Sequence, residues 1–289
     1  MDEMGLTGTV FLDGHLVSAA RARVSAFDRG LLYGDGLFET LRSYQGRPFA
    51  LDRHLARLRG TARWLGIPVP AMDWRRQITA VLQRNRLLGV DASVRITLTR
   101  GPAVPGLLPP VRPRPTVLII CAAVPAALAA VQRRGARVAL LPFARGGALA
   151  GHKLLDYVPA VLGRVLARRQ RAFEGLFVDA RGYLSEGTTS NLFVVRRGRL
   201  LTPPLDGEAG VLPGVTRSLV IALATAAGIR VQECRLRVSD LVAANEAFCT
   251  ASVAEVVPIV RIAERAIASG RPGPLTRRVQ ELYRDATRQ

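Results

Sequence analysis

The sequence predicts an α+β protein in two parts. Short runs of alternating apolar residues, several longer stretches with helical spacing, and the lack of regular strand–helix–strand alternation are the observations behind that reading. A length of 289 residues accommodates one large domain or two of ordinary size, and 49% hydrophobic residues supply a sizeable core.

The elements follow in order. Gly8–Ser18 carries two alternating runs about Asp13-Gly14, a hairpin signal, and Leu37–Tyr44 with Gln45-Gly46 and Arg47–Leu51 repeats it. Leu51, Leu55, Leu58, Ala62 and Leu65 form one apolar stripe, which predicts a helix over Leu51–Leu65; Met72–Leu88 is a second. Ser93–Thr99 reads as a strand, Gly101–Pro115 as a long loop and Thr116–Ala123 as a buried strand. The Ala-rich stretch near Pro125–Gln132 marks a junction. The predicted division is therefore a small first domain over 1–123, an interdomain loop over 124–132 and a larger second domain over 133–289. In the second domain, strands are expected at Arg137–Leu141, Leu176–Asp179, Tyr183–Ser185, Asn191–Arg196 and Ala247–Ala251. Helices are expected at Leu155–Arg171, at Thr216–Ala227 ending on Gly228, and at Leu275–Arg288.

Composition excludes several function classes. No apolar run reaches the roughly 18–20 residues that span a bilayer, since Arg133, Arg134 and Arg137 cut off the longest one, so no membrane association is expected. The acidic first residues lack the basic start of a secretory signal, and Cys121, Cys234 and Cys249 sit apart in apolar segments, which together favour a cytoplasmic location. His15, His54 and His152 lack ligand spacing, so no metal site is expected. A net charge of +19 is the ordinary mark of a nucleic-acid binder, but the arginines are scattered. The tightest group, Arg164, Arg168, Arg169 and Arg171, fits the solvent face of a helix, and no aromatic residues alternate with it. Attraction of small anionic substrates is the simpler account.

Lys153 is the sole lysine; the other basic side chains among 41 Lys+Arg are arginines. An ammonium can lose its proton and attack a carbonyl, which a guanidinium cannot. Codon bias toward arginine would also leave a stray lysine, so its surroundings decide between the two. A lysine holding pyridoxal phosphate as a Schiff base needs an acid for the ring nitrogen and an anion cup for the phosphate. Glu186 lies between two strand patterns beside Thr188, Thr189 and Ser190, either as that acid or in an ordinary hairpin whose hydroxyls satisfy their own backbone. Leu212-Pro-Gly-Val-Thr-Arg217 leads into a helix, where Thr216 is either part of an anion cup or a plain N-cap. Thr250-Ala-Ser252 adds a hydroxyl or merely ends a strand. Arg57 lies beside the apolar stripe of its helix, as a snorkelling side chain would.

Taken together, these segments resemble one known family. The run Asp28-Arg-Gly-Leu-Leu-Tyr-Gly-Asp-Gly-Leu-Phe-Glu-Thr-Leu41 is similar to the N-terminal signature of fold-type IV, or class IV, pyridoxal-phosphate enzymes. These include branched-chain and D-amino acid aminotransferases, R-selective amine transaminases and aminodeoxychorismate lyase. The likeness continues in order through His54-Leu-Ala-Arg-Leu58, Lys153, Ser185-Glu-Gly-Thr-Thr-Ser-Asn-Leu-Phe193, Leu212–Arg217 and Thr250–Pro258. The resemblance implies a small N-terminal α/β domain, a larger C-terminal pseudo-barrel domain, and a homodimer with its active site near the interface. It implies pyridoxal 5'-phosphate as cofactor and Lys153 as both Schiff-base and proton-shuttle residue. Glu186 is then the partner of the ring nitrogen, and Arg57, Val215, Thr216 and Ser252 hold the phosphate. Leu212 packs on the ring, and Asn191 organises the site.

There are departures from the family pattern. The tyrosine that branched-chain enzymes place five residues after the lysine stands four after it, at Tyr157, and Ser252 replaces a threonine. The Arg-x-His pair with which D-amino acid aminotransferases grip a carboxylate is absent from 101–115, and Phe38 replaces their tyrosine. Arg29, Arg95 and Arg100 are the candidates left for that carboxylate. The Glu-Gly-Thr-Thr-Ser-Asn turn and the Lys-Leu-Leu-Asp-Tyr segment look more like D-amino acid aminotransferases and aminodeoxychorismate lyases than branched-chain enzymes. The expected reaction is thus ping-pong transfer between a D-amino acid and a 2-oxo acid, with the lyase and then the branched-chain L-enzyme as alternatives.

Overall fold

A computed structural model describes residues 8–144, 147 and 149–288; residues 1–7, on which the leader expectation rests, lie outside them. The chain divides into two compact units. The first runs to Val124 and takes in His152–Asp156, and the second comprises Pro125–Gly151 and the chain from Tyr157 onward.

In the first unit the elements are β1 (Thr9–Leu12), β2 (His15–Ser18), α1 (Arg29–Tyr33), β3 (Gly36–Tyr44), β4 (Arg47–Pro48), α2 (Leu51–Leu65), α3 (Trp74–Arg84), β5 (Ala92–Thr99) and β6 (Val117–Ala123). The strands form one antiparallel sheet in the order β2-β1-β6-β5-β3-β4. Strand β5 alternates up to Leu98, burying Ala92, Val94, Ile96 and Leu98. Those residues pack with the apolar stripes of the helices, including Leu55, Leu58, Ile78 and Val81. Helix α2 covers Leu51–Leu65 as the stripe predicts and stops at Gly66 in the left-handed region. Helix α3 is shorter than Met72–Leu88: Asp73 caps its start by accepting from the Arg76 amide. Strand β6 is buried only in its first half, and its end is exposed.

Strand β3 breaks the alternation: Gly36, Leu37, Phe38 and Glu39 are all buried. Residues 152–156 lie along the edge of β3 that β4 leaves open. The Phe38 amide donates to the Lys153 carbonyl at 2.9 Å, the Leu155 amide donates to the Gly36 carbonyl at 3.0 Å, and Leu37 bridges Leu154. With Leu155 engaged in that bridge, the helix expected from Leu155 starts only at Val158, with Pro159 in its first turn.

The second unit holds α4 (Ala127–Arg134), β7 (Ala136–Leu141), α5 (Val158–Arg169), β8 (Glu174–Val178), β9 (Tyr183–Gly187), β10 (Asn191–Arg196), β11 (Arg199–Thr202), α6 (Val215–Ala226), β12 (Val231–Glu233), β13 (Leu236–Arg237), α7 (Val238–Val242), β14 (Glu246–Ala251), β15 (Glu255–Ile262), β16 (Arg265–Ala266) and α8 (Pro274–Arg288). Where the sequence suggested a loop over 124–132, most of the segment is helix α4, because an Ala-rich run is a good helix former whatever its place between domains. Strand β15 has no counterpart among the predicted strands; Pro258 in its middle masks it, since proline inside a run argues against a strand.

The strands run β10-β14-β15-β7-β8-β9, and β9 pairs back to β10. This closes a six-stranded ring, the pseudo-barrel the resemblance implied. The closing contact is one pair, Glu186 on β9 opposite Asn191 on β10. From the ring's strands Val138, Leu176, Leu192, Val194, Cys249 and Val257 join one apolar cluster, and Cys121, Cys234 and Cys249 form no disulfide. Among the described residues no helix is long and apolar enough to cross a membrane, and no group of His, Cys, Asp and Glu could hold a metal ion.

One glycine in the first unit is fixed by space as well as by backbone. Gly101 has φ +86°, and a Cβ there would collide with the Arg114 carbonyl oxygen, which is backbone and cannot yield cheaply. Gly14 at φ +93° faces open space. Gly101→Ala should therefore cost well beyond the roughly 1–2 kcal/mol of a left-handed non-glycine residue, and Gly14→Ala only about that amount. Urea unfolding midpoints of the two variants check this, and equal losses would refute it.

Candidate active site

The predicted site residues gather into two clusters, one in each unit. The first centres on Phe38, buried on the sheet face that also carries Thr40, Arg95 and Thr97. The Arg95 guanidinium lies 3.8 Å from the Phe38 ring centre, and Lys153 Nζ lies 4.4 Å from the same point. Both cations are attracted to the aromatic ring. His152 stacks on Trp64 of α2 at 4.1 Å, nearly parallel, with its Nδ1 3.3 Å from Thr61 Oγ1. The residue before the lysine is thereby fastened to α2.

On the opposite face of β3, Glu39 meets α2. Its carboxylate accepts from Arg57 Nε and Nη2, each at 2.7 Å, and lies 2.7 Å from His54 Nδ1. Arg57 is therefore held in a bidentate ion pair on its sheet side and is not a snorkelling side chain. Arg29 and Arg100 are fasteners too. Both Nε atoms donate to Asp35 Oδ2 at 2.7 Å, while Arg29 holds the Gly106 and Leu107 carbonyls and Arg100 those of Leu65 and Gly66. Of the three arginines nominated for a substrate carboxylate, Arg95 alone shares an aromatic ring with Lys153.

The second cluster lies on the rung that closes the ring. Glu186 is buried, and its Oε2 accepts from Asn191 Nδ2 at 3.1 Å and from the Leu212 amide at 2.9 Å. Asn191 Nδ2 also donates to the Leu212 carbonyl at 3.0 Å. The backbone at Leu212–Gly214 approaches so closely that a Cβ on Gly214 would strike Asn191 Oδ1, which is the local reason for glycine in that motif. Gly214 is the N-cap of α6 and supplies no side-chain cap, so Thr216 is not the cap but the second helical residue, buried beside Val215. The first-turn amides and the Thr216 hydroxyl gather at a helix N-terminus, where the macrodipole favours an anion. Thr250 pairs with Asn191 across the sheet, and its Oγ1 is buried with no hydrogen-bond partner among the described residues; Ser252 follows two positions on, half-buried.

This donor set fits pyridoxal phosphate. A buried, oriented carboxylate suits a protonated ring nitrogen, an uncapped helix start with a hydroxyl suits a dianion, and Leu212 supplies an apolar face. Sequence reading missed Glu174, which looks like one acid in the ordinary strand Glu174-Gly-Leu-Phe-Val178. Its carboxylate accepts from Thr188, Thr189 and Ser190, so the turn's hydroxyls bind this acid rather than their own backbone.

The Glu39 cluster has a pH signature. Burial alone would raise the Glu39 pKa, but hydrogen bonds from Arg57 and His54 and their charges lower it from 4.5 to about 2. His54 is also lowered: burial, joined by the charges of Arg57 and Lys153, outweighs the pull of Glu39. Both groups bind protons more tightly when unfolded, so their contribution is complete at neutral pH and is lost as pH falls from His54's ordinary 6.5 toward about 2. Glu39→Gln should flatten the acid limb of stability below about pH 5, as read by urea midpoints against pH. An unchanged slope would refute the assignment.

The chain matches the amino-transferase class IV family over residues 36–262. It is 36% identical over 277 residues to a putative branched-chain-amino-acid aminotransferase of Methanocaldococcus jannaschii, covering 96% of this chain and 95% of that one. It is 32% identical over 280 residues to the aminodeoxychorismate lyase of Bacillus subtilis, covering 95% and 93%. The fold superposes on the Escherichia coli branched-chain amino acid aminotransferase with a TM-score of 0.87 at 29% identity, covering 96% of this chain and 94% of that one. A hypothetical aminotransferase from Mycobacterium tuberculosis, in its form bound to pyridoxal phosphate, gives 0.85 at 25% identity, covering 96% and 98%. A match over most of the chain, carried by relatives aligned over nearly their full length, makes this protein a member of the amino-transferase class IV family.

Proposed function

We propose that this protein is a pyridoxal-phosphate-dependent transaminase that exchanges amino groups between branched-chain L-amino acids and 2-oxo acids. The observation that carries the reading is the pairing of Lys153 with Arg95 over Phe38, an amine and a carboxylate-binding cation on one apolar support. The D-amino acid reading expected from the sequence is not adopted. The turn that favoured it engages its hydroxyls with Glu174, the Arg-x-His grip is absent, and none of the relatives just named carries a D-specific description. The Bacillus subtilis relative keeps lyase chemistry as the second reading.

Bound pyridoxal phosphate supplies an electron sink for negative charge at the substrate Cα. Lys153 Nζ would be the side chain that holds the cofactor and, as the one lysine amine of the chain, the base that moves the substrate Cα proton. The Glu186 carboxylate, fixed by Asn191 and the Leu212 amide, would keep the ring nitrogen protonated. The first turn of α6, with Val215, Thr216 and Ser252, would hold the phosphate, and Arg57 is the guanidinium that would add to it. Arg95 fixes the substrate carboxylate, and Phe38 and Leu212 exclude water from the reacting bonds.

The half-reaction tests this. L-leucine or L-valine should convert the visible cofactor band to that of pyridoxamine phosphate, and D-alanine or D-glutamate should not; the reverse result would restore the D-specific reading. Pyruvate release from aminodeoxychorismate without an oxo-acid acceptor would favour the lyase. Lys153→Ala should lose the half-reaction by at least ~1,000-fold together with all borohydride labelling of a lysine side chain. Arg95→Ala should raise KM for donor and acceptor about 10–100-fold with a smaller change in kcat.

A homodimer is part of the proposal. In the first unit Phe27, Leu31, Leu107, Leu108 and Val111 are 58–98% exposed, an apolar set that a second copy would cover. Light scattering should give a two-chain mass, and Leu107→Asp with Leu108→Asp should shift it to one chain; an unshifted mass would exclude this surface.

A further inference from the structure

We propose that Glu174 is a positioning residue that sets Glu186 against the cofactor's ring nitrogen, acting through the turn between them; the proposal rests on the cofactor reading above. Glu174 is 1% exposed at the start of β8. Its Oε1 accepts from the Gly175 amide at 2.9 Å, the Thr188 amide at 3.2 Å and the Thr188 hydroxyl. Its Oε2 accepts from the Thr189 amide at 3.3 Å, the Thr189 hydroxyl at 3.0 Å and the Ser190 hydroxyl at 2.9 Å. The ion pair with Arg164 is longer, at 3.5 Å, and that arginine is half-exposed. A buried carboxylate is thus met chiefly by neutral donors, nearly all from one turn.

That turn joins the two residues of the site. Its closing rung is Glu186 with Asn191, and within it the Gly187 amide donates to the Ser190 carbonyl at 2.6 Å. From the far side the Tyr157 hydroxyl donates to the Thr188 carbonyl at 3.1 Å. The fit leaves no slack, because a Cβ on Gly187 would meet Ser190 Oγ and come within 2.9 Å of Glu174 Cγ. Asn191 binds Glu186 directly, so a shift of the turn moves the acid and its hydrogen-bond partner together. All the groups facing Glu174 can act as donors, which selects a carboxylate. A glutamine would turn an NH2 group toward a backbone amide on one side or the other.

The test compares two cofactors on apo protein. Pyridoxal phosphate offers Glu186 a ring nitrogen, whereas deazapyridoxal phosphate, with carbon in that place, does not. Glu174→Gln should lose at least ~10-fold in affinity for pyridoxal phosphate yet bind the deaza analogue within about twofold of wild type, with an unchanged circular dichroism spectrum. Thr189→Val and Ser190→Ala each remove one donor and should give smaller losses, again for pyridoxal phosphate alone. They carry the test if Glu174→Gln does not fold. Equal losses for both cofactors would make Glu174 merely structural, and no loss in any variant would overturn the proposal outright. If wild-type protein binds neither compound, the cofactor reading itself has failed, an outcome distinct from the other two.

Discussion

A single rung, Glu186 opposite Asn191, joins the two ends of the strand ring in the second unit, and both its side chains are polar and buried. Burying such groups is costly unless every donor and acceptor is met, so the surrounding chain is obliged to come to them. Leu212 supplies an amide and a carbonyl, Gly214 yields the room for Asn191, and the helix that follows starts where this approach leaves it. The place where α6 begins is therefore a consequence of satisfying the rung. Closure of the sheet and the approach of Leu212 to Glu186, just before α6, share one set of hydrogen bonds.

The first unit solves a different problem with similar means. A flexible amine is useful only when its backbone is fixed, and Lys153 has no helix or full strand of its own. Two hydrogen bonds to the open edge of β3, with His152 stacked on Trp64, provide that fixing. On the other face of the same strand Glu39 binds α2 through Arg57 and His54. Strand β3 thus connects the lysine segment to the helix that carries the phosphate candidate. Its unbroken burial over Gly36–Glu39 reflects neighbours on both faces.

Much of this was legible in the sequence where the signal is local. The stripe Leu51–Leu65 gives α2 its observed bounds, and the Asp13-Gly14 hairpin is where the alternation puts it. Order and spacing of motifs single out Lys153, Glu186 and Thr216 as candidates. What escaped was non-local. The start of α5 moved because Leu155 bonds to Gly36, a partner more than a hundred residues away. Arg29 and Arg100 looked available because Asp35 and the carbonyls that hold them are invisible to spacing. Glu174 carries no motif, since the residues it binds lie fourteen to sixteen positions later. Strand β15 hid behind Pro258.

The membership of His152–Asp156 has a consequence for how such a chain can be rearranged. These five residues belong to the first unit although the chain on either side belongs to the second. Neither unit is therefore one continuous stretch of gene. A break or a recombination point placed in the apparent linker near Val124 would leave the strand edge with one parent and its reactive amine with the other. Exchange of modules between relatives must carry both pieces together or recreate the lacing at the new seam.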